Sequence, residues 1–320
     1  MTIGSGSTRI WTTEDNKRQM QVSDDAFIAK DIGRFNHADD AKMHMPGGVE
    51  MDMAAHVADI VDTYAAFPDI GPHNHDYKIV FAEGEWTFAV ADVTGTNTGP
   101  IIGPAGAYVP PTNKKVAFEL CTVARWVQGE MVEEYIWTDV FRMLRQLGFA
   151  GPPVGTEVPP TLEMNAATPL RSGMGGSSEQ NKHLMKESDD ALNAGTFNAQ
   201  DLHFAEGITV YGSSEAPTGA DAYLRDTERV REAFPDLHLY NDPYRVVVAE
   251  GDWTGTVARM TGTQTGPITS PEGMDMPTIP PTNRAFDLNH YTIARWQNGE
   301  IVQLKILFDF VGVLQQLGLG

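Results

Sequence analysis

Cysteine, basic residues and long apolar runs are all scarce in this chain. The single cysteine, Cys121, excludes an internal disulfide and any cysteine-built zinc or iron–sulfur centre. Lys and Arg total 23 against 43 Asp and Glu, which gives a formal charge of −20 at pH 7. This charge argues against nucleic acid or an anionic membrane surface as a partner. Apolar runs stay below about 18 residues, so no membrane-spanning helix is expected.

The first residues lack the basic-then-apolar pattern of a secretion signal. We therefore expect a cytoplasmic protein. The chain has 320 residues, of which 41% are hydrophobic, and this is enough to bury two ordinary cores.

Most of the chain occurs twice. The segment Thr94-Gly95-Thr96-Asn97-Thr98-Gly99-Pro100-Ile101 returns 167 positions later as Thr261-Gly262-Thr263-Gln264-Thr265-Gly266-Pro267-Ile268. After a Pro/Gly-rich loop with three extra residues in the second copy, the spacing becomes 170, as between Asp139 and Asp309. Ordered matches of this kind indicate a tandem duplication.

Composition suggests where the copies begin and end. Residues 149–180 are rich in Pro, Gly and Ser and follow neither the helical nor the strand period, so we expect a linker there. The predicted organisation is an N-terminal extension (1–23), a first domain (24–148), this linker (149–180) and a second domain (181–320).

Within each copy, helical patterns precede strand-like runs. Apolar residues recur at helical spacing over residues 54–66, and Thr218 has the position of an N-cap for the matching helix of the second copy. The strand-like runs that follow are joined by turns such as Gln128-Gly129 and Asn298-Gly299, which are typical of hairpins. This order predicts an α+β fold with helices on one face of a curved, mainly antiparallel sheet.

Four motifs carry a resemblance to a known family. They are Thr94-Gly95-Thr96-x-Thr98-Gly99, Pro111-Thr112-Asn113-Lys114, Gly129-x-Met131-Val132-Glu133 and Asp139-x-x-x-Met143-Leu144-Arg145-Gln146-Leu147-Gly148. In this order they resemble the SnoaL-like polyketide cyclase family of the nuclear transport factor two-like superfamily. The resemblance implies two tandem cone-shaped domains, each with a deep pocket for a small-molecule ligand. It also suggests an internal pseudo-dimer through the sheets, with further oligomerisation left open.

The resemblance further implies a cofactor-free intramolecular aldol closure in which an aspartate at the position of Asp139 and Asp309 moves the proton. The residues agree with this role, because a carboxylate at the inner end of a strand, among aromatic side chains, is desolvated. Desolvation raises its pKa toward the range useful for proton abstraction, and no metal is needed. The alternative is purely structural, since both aspartates stand just before a helix, where Asp is a favoured cap.

The neighbours of the two aspartates differ. Counting by two along the last strand gives Glu133, Tyr135 and Trp137 beside Asp139, and we predict that they bind substrate. The same count gives Lys305 beside Asp309, where it would hold the carboxylate ionised, and we predict that Lys305 also binds substrate. His290, on the neighbouring strand, is predicted to be the catalytic partner of Asp309. His44 and Tyr211 hold equivalent positions on a short strand and are predicted to contact substrate.

The leading hypothesis is a cofactor-independent cyclase or lyase that acts on a carbonyl-containing hydrophobic small molecule. One alternative is a non-catalytic small-molecule binding protein whose aspartates are helix caps. Another is a hydrolase or dehydratase that uses the same pocket. The enzymatic hypothesis requires an aspartate buried in a pocket near His44, His290, Glu133 or Tyr135.

Overall fold

The computed structural model describes residues 10–102, 108–158, 160–164, 167, 169–170, 173–212, 216–270 and 277–319. Residues 1–9 of the predicted N-terminal extension, parts of both Pro/Gly-rich loops and parts of the linker lie outside the described residues. Within the described ranges the chain forms two similar α+β repeats.

The first repeat contains helices α1 (Thr13–Ile28), α2 (Met53–Ala66) and α3 (Val140–Leu147). Its strands are β1 (His37–Met45), β2 (Val49–Met51), β3 (Gly71–Pro72), β4 (Ile79–Glu83), β5 (Trp86–Thr96), β6 (Ile101–Ile102), β7 (Tyr108–Val109), β8 (Lys115–Val127) and β9 (Glu130–Thr138). The predicted domain boundary at residue 23 falls inside α1.

The second repeat contains helices α4 (Ser178–Asn193), α5 (Ala220–Ala233) and α6 (Phe310–Gln316). Its strands are β10 (Phe204–Tyr211), β11 (His238–Tyr240), β12 (Val246–Glu250), β13 (Trp253–Thr263), β14 (Ala285–Gln297) and β15 (Glu300–Leu307). Among the described helices, none combines the length and apolar character that a membrane span requires.

Local sequence signals explain several of these boundaries. Thr12 and Asp15 form a reciprocal capping box that starts α1. The left-handed backbone at Gln128 and Gly129 (φ 52° and 90°) makes the tight hairpin between β8 and β9, as predicted. The predicted cap at Thr218 is wrong: Gly219 is the N-cap of α5, because the backbone of Thr218 pairs with Val210 in an isolated bridge.

The two sheets have matching topologies. The first has the order β2-β1-β9-β8-β5-β3 with β4 also on β5, and the second has the order β10-β15-β14-β13-β11 with β12 also on β13. The pairs β1/β9 and β10/β15 are parallel, and the other pairs in these sheets are antiparallel. The mixed but mainly antiparallel α+β architecture is therefore confirmed.

Each sheet buries both faces. One face packs under the helices of its own repeat. In the second repeat, Phe286 and Leu288 lie on this face. The opposite faces of the two sheets pack against each other and form one apolar cluster, which we call the seam core. Its members are Ile79, Phe81, Phe88, Val90, Cys121, Val123, Tyr135, Trp137, Leu162, Val246, Val248, Trp253, Val257, Tyr291, Ile293 and Leu307.

The sheets approach closely within the seam core. Gly255 permits this contact, because a Cβ there would lie only 2.6 Å from the Phe88 ring of the first repeat. Leu162, from the linker, is fully buried in the same cluster. The backbone of the linker also contacts the first repeat. The side-chain amide of Gln146 donates a hydrogen bond of 2.8 Å to the carbonyl oxygen of Gly155.

Two glutamates join the repeats reciprocally at the edge of the seam core. Glu83 accepts a hydrogen bond from the Ala249 N–H at 2.9 Å, and Glu250 accepts one from the Ala82 N–H at 2.7 Å. Each glutamate also pairs with a lysine of the other repeat: Lys182 lies 2.8 Å from Glu83, and Lys17 lies 2.8 Å from Glu250. The two contacts are equivalent in the two copies, so the packing has approximate twofold symmetry.

Candidate active site

A cavity of about 330 Å³ lies inside the second repeat, between its sheet and helices α4 and α5. Its apolar walls include Met185, Leu192, Phe204, Tyr223, Leu239, Met260 and Leu304, and its polar lining includes Ser188, Asp189, His290 and Thr292. At one end the lining continues to Glu119, Trp137 and Asp139 of the first repeat. The cavity has the size of a small-molecule site, and it combines apolar walls with polar groups.

Asp189 is the most perturbed carboxyl group of this lining. It projects from α4, is 5% exposed, and its Oδ2 accepts a hydrogen bond of 2.7 Å from the Tyr244 hydroxyl. Burial raises the pKa of Asp189 to about 7, although the Tyr244 hydrogen bond acts in the opposite direction. A carboxyl group with a pKa near neutrality can both accept and donate a proton under physiological conditions.

The first repeat has the same pair. The Tyr77 hydroxyl lies 2.5 Å from Oδ2 of Asp24, and burial raises the pKa of Asp24 to about 7 as well. Sequence analysis missed both pairs. The available signal was Ser23-Asp24-Asp25-Ala26, which recurs 165 positions later as Ser188-Asp189-Asp190-Ala191.

His290 lines the cavity from β14. Its Nδ1 is buried without a hydrogen-bond partner among the described residues. Burial lowers the pKa of His290 to about 4, so the ring is neutral at pH 7. A neutral imidazole has one donor and one acceptor nitrogen.

Asp309 is engaged by the backbone and does not pair with His290. Its Oδ1 accepts the Gly312 N–H at 2.8 Å as the N-cap of α6, and its Oδ2 accepts the Gly47 N–H of the first repeat at 2.6 Å. The side chain therefore has the capping geometry that sequence analysis left open, and it also joins the two repeats.

Asp139 is partly buried and caps a helix. Its Oδ1 accepts the Arg142 N–H at 3.0 Å at the start of α3. The residue also lines the end of the cavity, and burial raises the pKa of its carboxyl group. Asp139 therefore makes a capping hydrogen bond and also has a desolvated carboxyl group, which are the two alternatives that the sequence left open.

Three of the predicted substrate-binding residues contact one another outside this cavity's lining. The His44 ring stacks on Tyr135 with centroids 4.1 Å apart, and the His44 Nε2 and the Tyr135 hydroxyl lie 3.3 and 3.1 Å from Oε1 of Glu133. Burial, helped by the charge of Glu133, raises the pKa of Tyr135 to about 12. Tyr135 belongs to the seam core, so this cluster lies on the face of β9 that points toward the second repeat.

Tyr211, Trp137 and Lys305 line the cavity where it meets the seam core. Lys305 is 4% exposed and contacts Oε2 of Glu119 at 2.7 Å and the Thr161 hydroxyl at 2.5 Å. The predicted pairing of Lys305 with Asp309 is not seen. Burial acts to raise the pKa of Glu119, but the charge of Lys305 holds this pKa below its usual value.

Comparisons with known proteins agree with this architecture. The profile of the SnoaL-like polyketide cyclase family matches residues 23–147 and 182–317. A comparison with curated protein sequences gave no significant match.

Three solved structures each match less than half of this chain. AclR from Streptomyces galilaeus is 23% identical over 45% of this chain and 87% of its own, with a TM-score of 0.39. IdmH from Streptomyces antibioticus is 24% identical over 42% of this chain and 98% of its own, with a TM-score of 0.36. A SnoaL-like polyketide cyclase from Agrobacterium tumefaciens is 16% identical over 43% of this chain and 100% of its own, with a TM-score of 0.35.

Proposed function

Because the chain belongs to the SnoaL-like polyketide cyclase family, we propose that its second repeat catalyses an intramolecular aldol ring closure. The substrate is an apolar small molecule that carries at least two carbonyl groups. It binds in the interior cavity, and side-chain acid/base chemistry moves the protons.

The observation that supports this proposal best is the position of Asp189 in the cavity lining. The carboxyl group is desolvated, has a pKa of about 7 and is oriented by Tyr244. At neutral pH a substantial fraction is therefore the carboxylate, which is the form that accepts a proton. The apolar walls keep water away from the enolate that results.

The reaction needs no oxidant or reductant. The carboxylate of Asp189 takes a proton from the carbon next to one carbonyl, and the resulting enolate carbon attacks the second carbonyl of the same molecule. A carbon–carbon bond forms, and the new alkoxide takes a proton from the acid form of Asp189. The neutral His290 ring, in the tautomer that carries a proton on the cavity side, donates a hydrogen bond to a substrate oxygen.

The other predicted catalytic residues stay predictions. Asp139 is a second candidate for the base, because it lines the same cavity and burial raises the pKa of its carboxyl group. Asp309 would first have to give up its hydrogen bonds from the Gly312 and Gly47 amides. We propose that Tyr211, Trp137 and Lys305 contact the substrate at the seam end of the cavity. His44, Glu133 and Tyr135 also stay predicted substrate-binding residues.

We also propose that the two repeats act as an internal pseudo-dimer. The seam core and the reciprocal contacts of Glu83 and Glu250 support this arrangement. The cytoplasmic location stays a prediction.

A non-catalytic binding protein is the second candidate function. The capping geometry of Asp139 and Asp309 favours it, because each carboxylate already has a structural role. The two functions differ in one measurable property: only the enzyme accelerates proton removal from a bound ketone. Exchange of the α-protons of a ketone in D2O tests the proposed function.

A further inference from the structure

The interior of the first repeat contains a cluster of two histidines and a glutamate. His37 comes from β1, His56 from α2 and Glu134 from β9, and one ligand atom of each lies within 4.8 Å of the other two. The cluster is closed to solvent, since the side chains of His37 and Glu134 are 5% and 8% exposed and His56 is 6% exposed.

The spacing of these atoms suits a metal ion. Tetrahedral zinc with ligand bonds of about 2.0–2.1 Å places its ligand atoms about 3.3 Å apart. The His37 Nε2 lies 3.3 Å from Oε2 of Glu134, which is one such edge. The ligand atom of His56 lies within 4.8 Å of both others and would move closer to complete the set.

Two nitrogens of the cluster have no protein partner. The Nδ1 atoms of His37 and His56 are buried and make no hydrogen bond among the described residues. Because the His37 Nε2 faces Glu134, the unpaired Nδ1 of His56 is the buried atom that an ion bound between the three side chains could satisfy.

The charge balance points to a cation. The ion-pair partner of Glu134 in the described part of the chain is His37, and neither Lys nor Arg contacts it. A divalent ion bound between the three side chains would offset the cost of burying this carboxylate.

The second repeat shows that the fold does not require the cluster. The equivalent residues there are Phe204, Tyr223 and Leu304, which line the cavity. The Phe204 and Tyr223 rings contact each other edge to face at 5.5 Å. The polar set is therefore a specific property of the first repeat.

We propose that His37, His56 and Glu134 bind one divalent transition-metal ion, with Zn²⁺ as the preferred ion. Two imidazoles and a carboxylate are borderline donors that suit Zn²⁺ better than Mg²⁺ or Ca²⁺, which prefer oxygen ligands. The ion would tie β1, α2 and β9 together. This site is separate from the proposed catalytic cavity.

The test uses the full chain with any affinity tag removed and metals stripped by a chelator. Titration with Co²⁺, followed by its visible d–d absorption, and competition with Zn²⁺ give stoichiometry and affinity. We expect one ion per chain and a rise in the thermal midpoint of unfolding with Zn²⁺. The variants Glu134→Gln and His56→Gln should lose at least about 100-fold in Zn²⁺ affinity, whereas the exposed control His75→Gln should bind like the wild type.

Two results would overturn the proposal. The first is a folded wild-type chain that binds neither Co²⁺ nor Zn²⁺ at one equivalent. The second is unchanged affinity in a folded His56→Gln variant, which would assign binding to surface groups. If one of these two variants fails to fold, the other locates the ion, and the wild-type stoichiometry gives the number of ions bound.

Discussion

The Tyr244 hydroxyl lies 2.7 Å from Oδ2 of Asp189 inside the second repeat, and Tyr77 has the same relationship to Asp24 in the first. The duplication kept this pair in both copies, although other interior positions differ. Around Asp189 there is an apolar cavity, whereas the first repeat has two histidines and a glutamate at the matching positions. The two interiors are therefore suited to different roles.

Replacing Asp189 with Asn should change how stability depends on pH. The folded pKa of about 7 lies above the usual value of 3.8, so the folded chain keeps a proton that the unfolded chain has already lost. The stability that the folded chain gains from keeping this proton on Asp189 is complete below about pH 4 and is lost as pH rises through 7. Asn stays neutral, so the Asp189→Asn variant should gain up to about 4 kcal/mol relative to the wild type between pH 4 and 8.

Urea unfolding followed by tryptophan fluorescence at several pH values measures this difference. The exposed Asp221→Asn variant is the control and should follow the wild type. Parallel curves for Asp189→Asn and the wild type would show that Asp189 ionises normally.

His290 should remain neutral through the physiological range. Burial lowers its pKa to about 4, which is below the unfolded value, so this group lowers stability progressively as pH falls from about 6.5 to 4. NMR of the imidazole protons, assigned with the His290→Gln variant, should show no titration above about pH 5. A midpoint between 6 and 7 would mean that the ring is solvated or paired with an acid.

The buried pair of Lys305 and Glu119 should behave as a coupled unit. Lys305→Met or Glu119→Leu alone leaves an uncompensated charge and should cost about 3–5 kcal/mol of unfolding free energy, whereas the double variant should cost much less than the sum. Denaturant unfolding of the four chains measures the coupling. The exposed pair of Arg259 and Asp287, 2.6 Å apart, is the matched control, and its coupling should stay below about 1 kcal/mol. Additive losses at Lys305 and Glu119 would contradict this interpretation.

The reciprocal glutamates should stabilise the contact between the repeats. Glu250→Ala leaves the buried N–H of Ala82 without its acceptor, so we expect a loss of about 1–3 kcal/mol. Glu250→Gln keeps an acceptor oxygen and should lose less. Thermal unfolding of both variants measures these losses, and Glu83→Ala tests the equivalent contact in the other repeat. Equal and negligible effects of Glu250→Ala and Glu250→Gln would argue against a stabilising role.

The fold was largely predictable because its signals are local or repeated. The matches between the copies revealed the duplication, and Gln128-Gly129 and Asn298-Gly299 marked the hairpins. Which face of each sheet points to the interior was harder to predict from the sequence. Strand alternation separates Tyr135 from Glu134, but both faces of β9 are buried, and only the packing of the second sheet decides which face points to the interior.

The candidate site was less predictable for a related reason. Asp189 and Tyr244 lie 55 positions apart in the chain and meet only when α4 packs on the sheet. The repeated Ser-Asp-Asp-Ala motif contained a signal, but two adjacent aspartates on a helix also fit a solvated surface. Lys305 was similarly recognised as important, yet its partner Glu119 belongs to the other repeat, which no count along one strand reveals.

The most direct test of the central claim is hydrogen–deuterium exchange at the α-carbons of 2-tetralone, an apolar bicyclic ketone, followed by NMR in D2O. The wild type should exchange these protons faster than buffer. The Asp189→Asn variant should lose at least about 100-fold of this rate while still binding the ketone in saturation-transfer NMR, and Asp24→Asn, the equivalent change in the first repeat, should leave it unchanged. Wild-type exchange no faster than buffer, or undiminished exchange by Asp189→Asn, would contradict the assignment of acid/base catalysis to Asp189 in the second repeat.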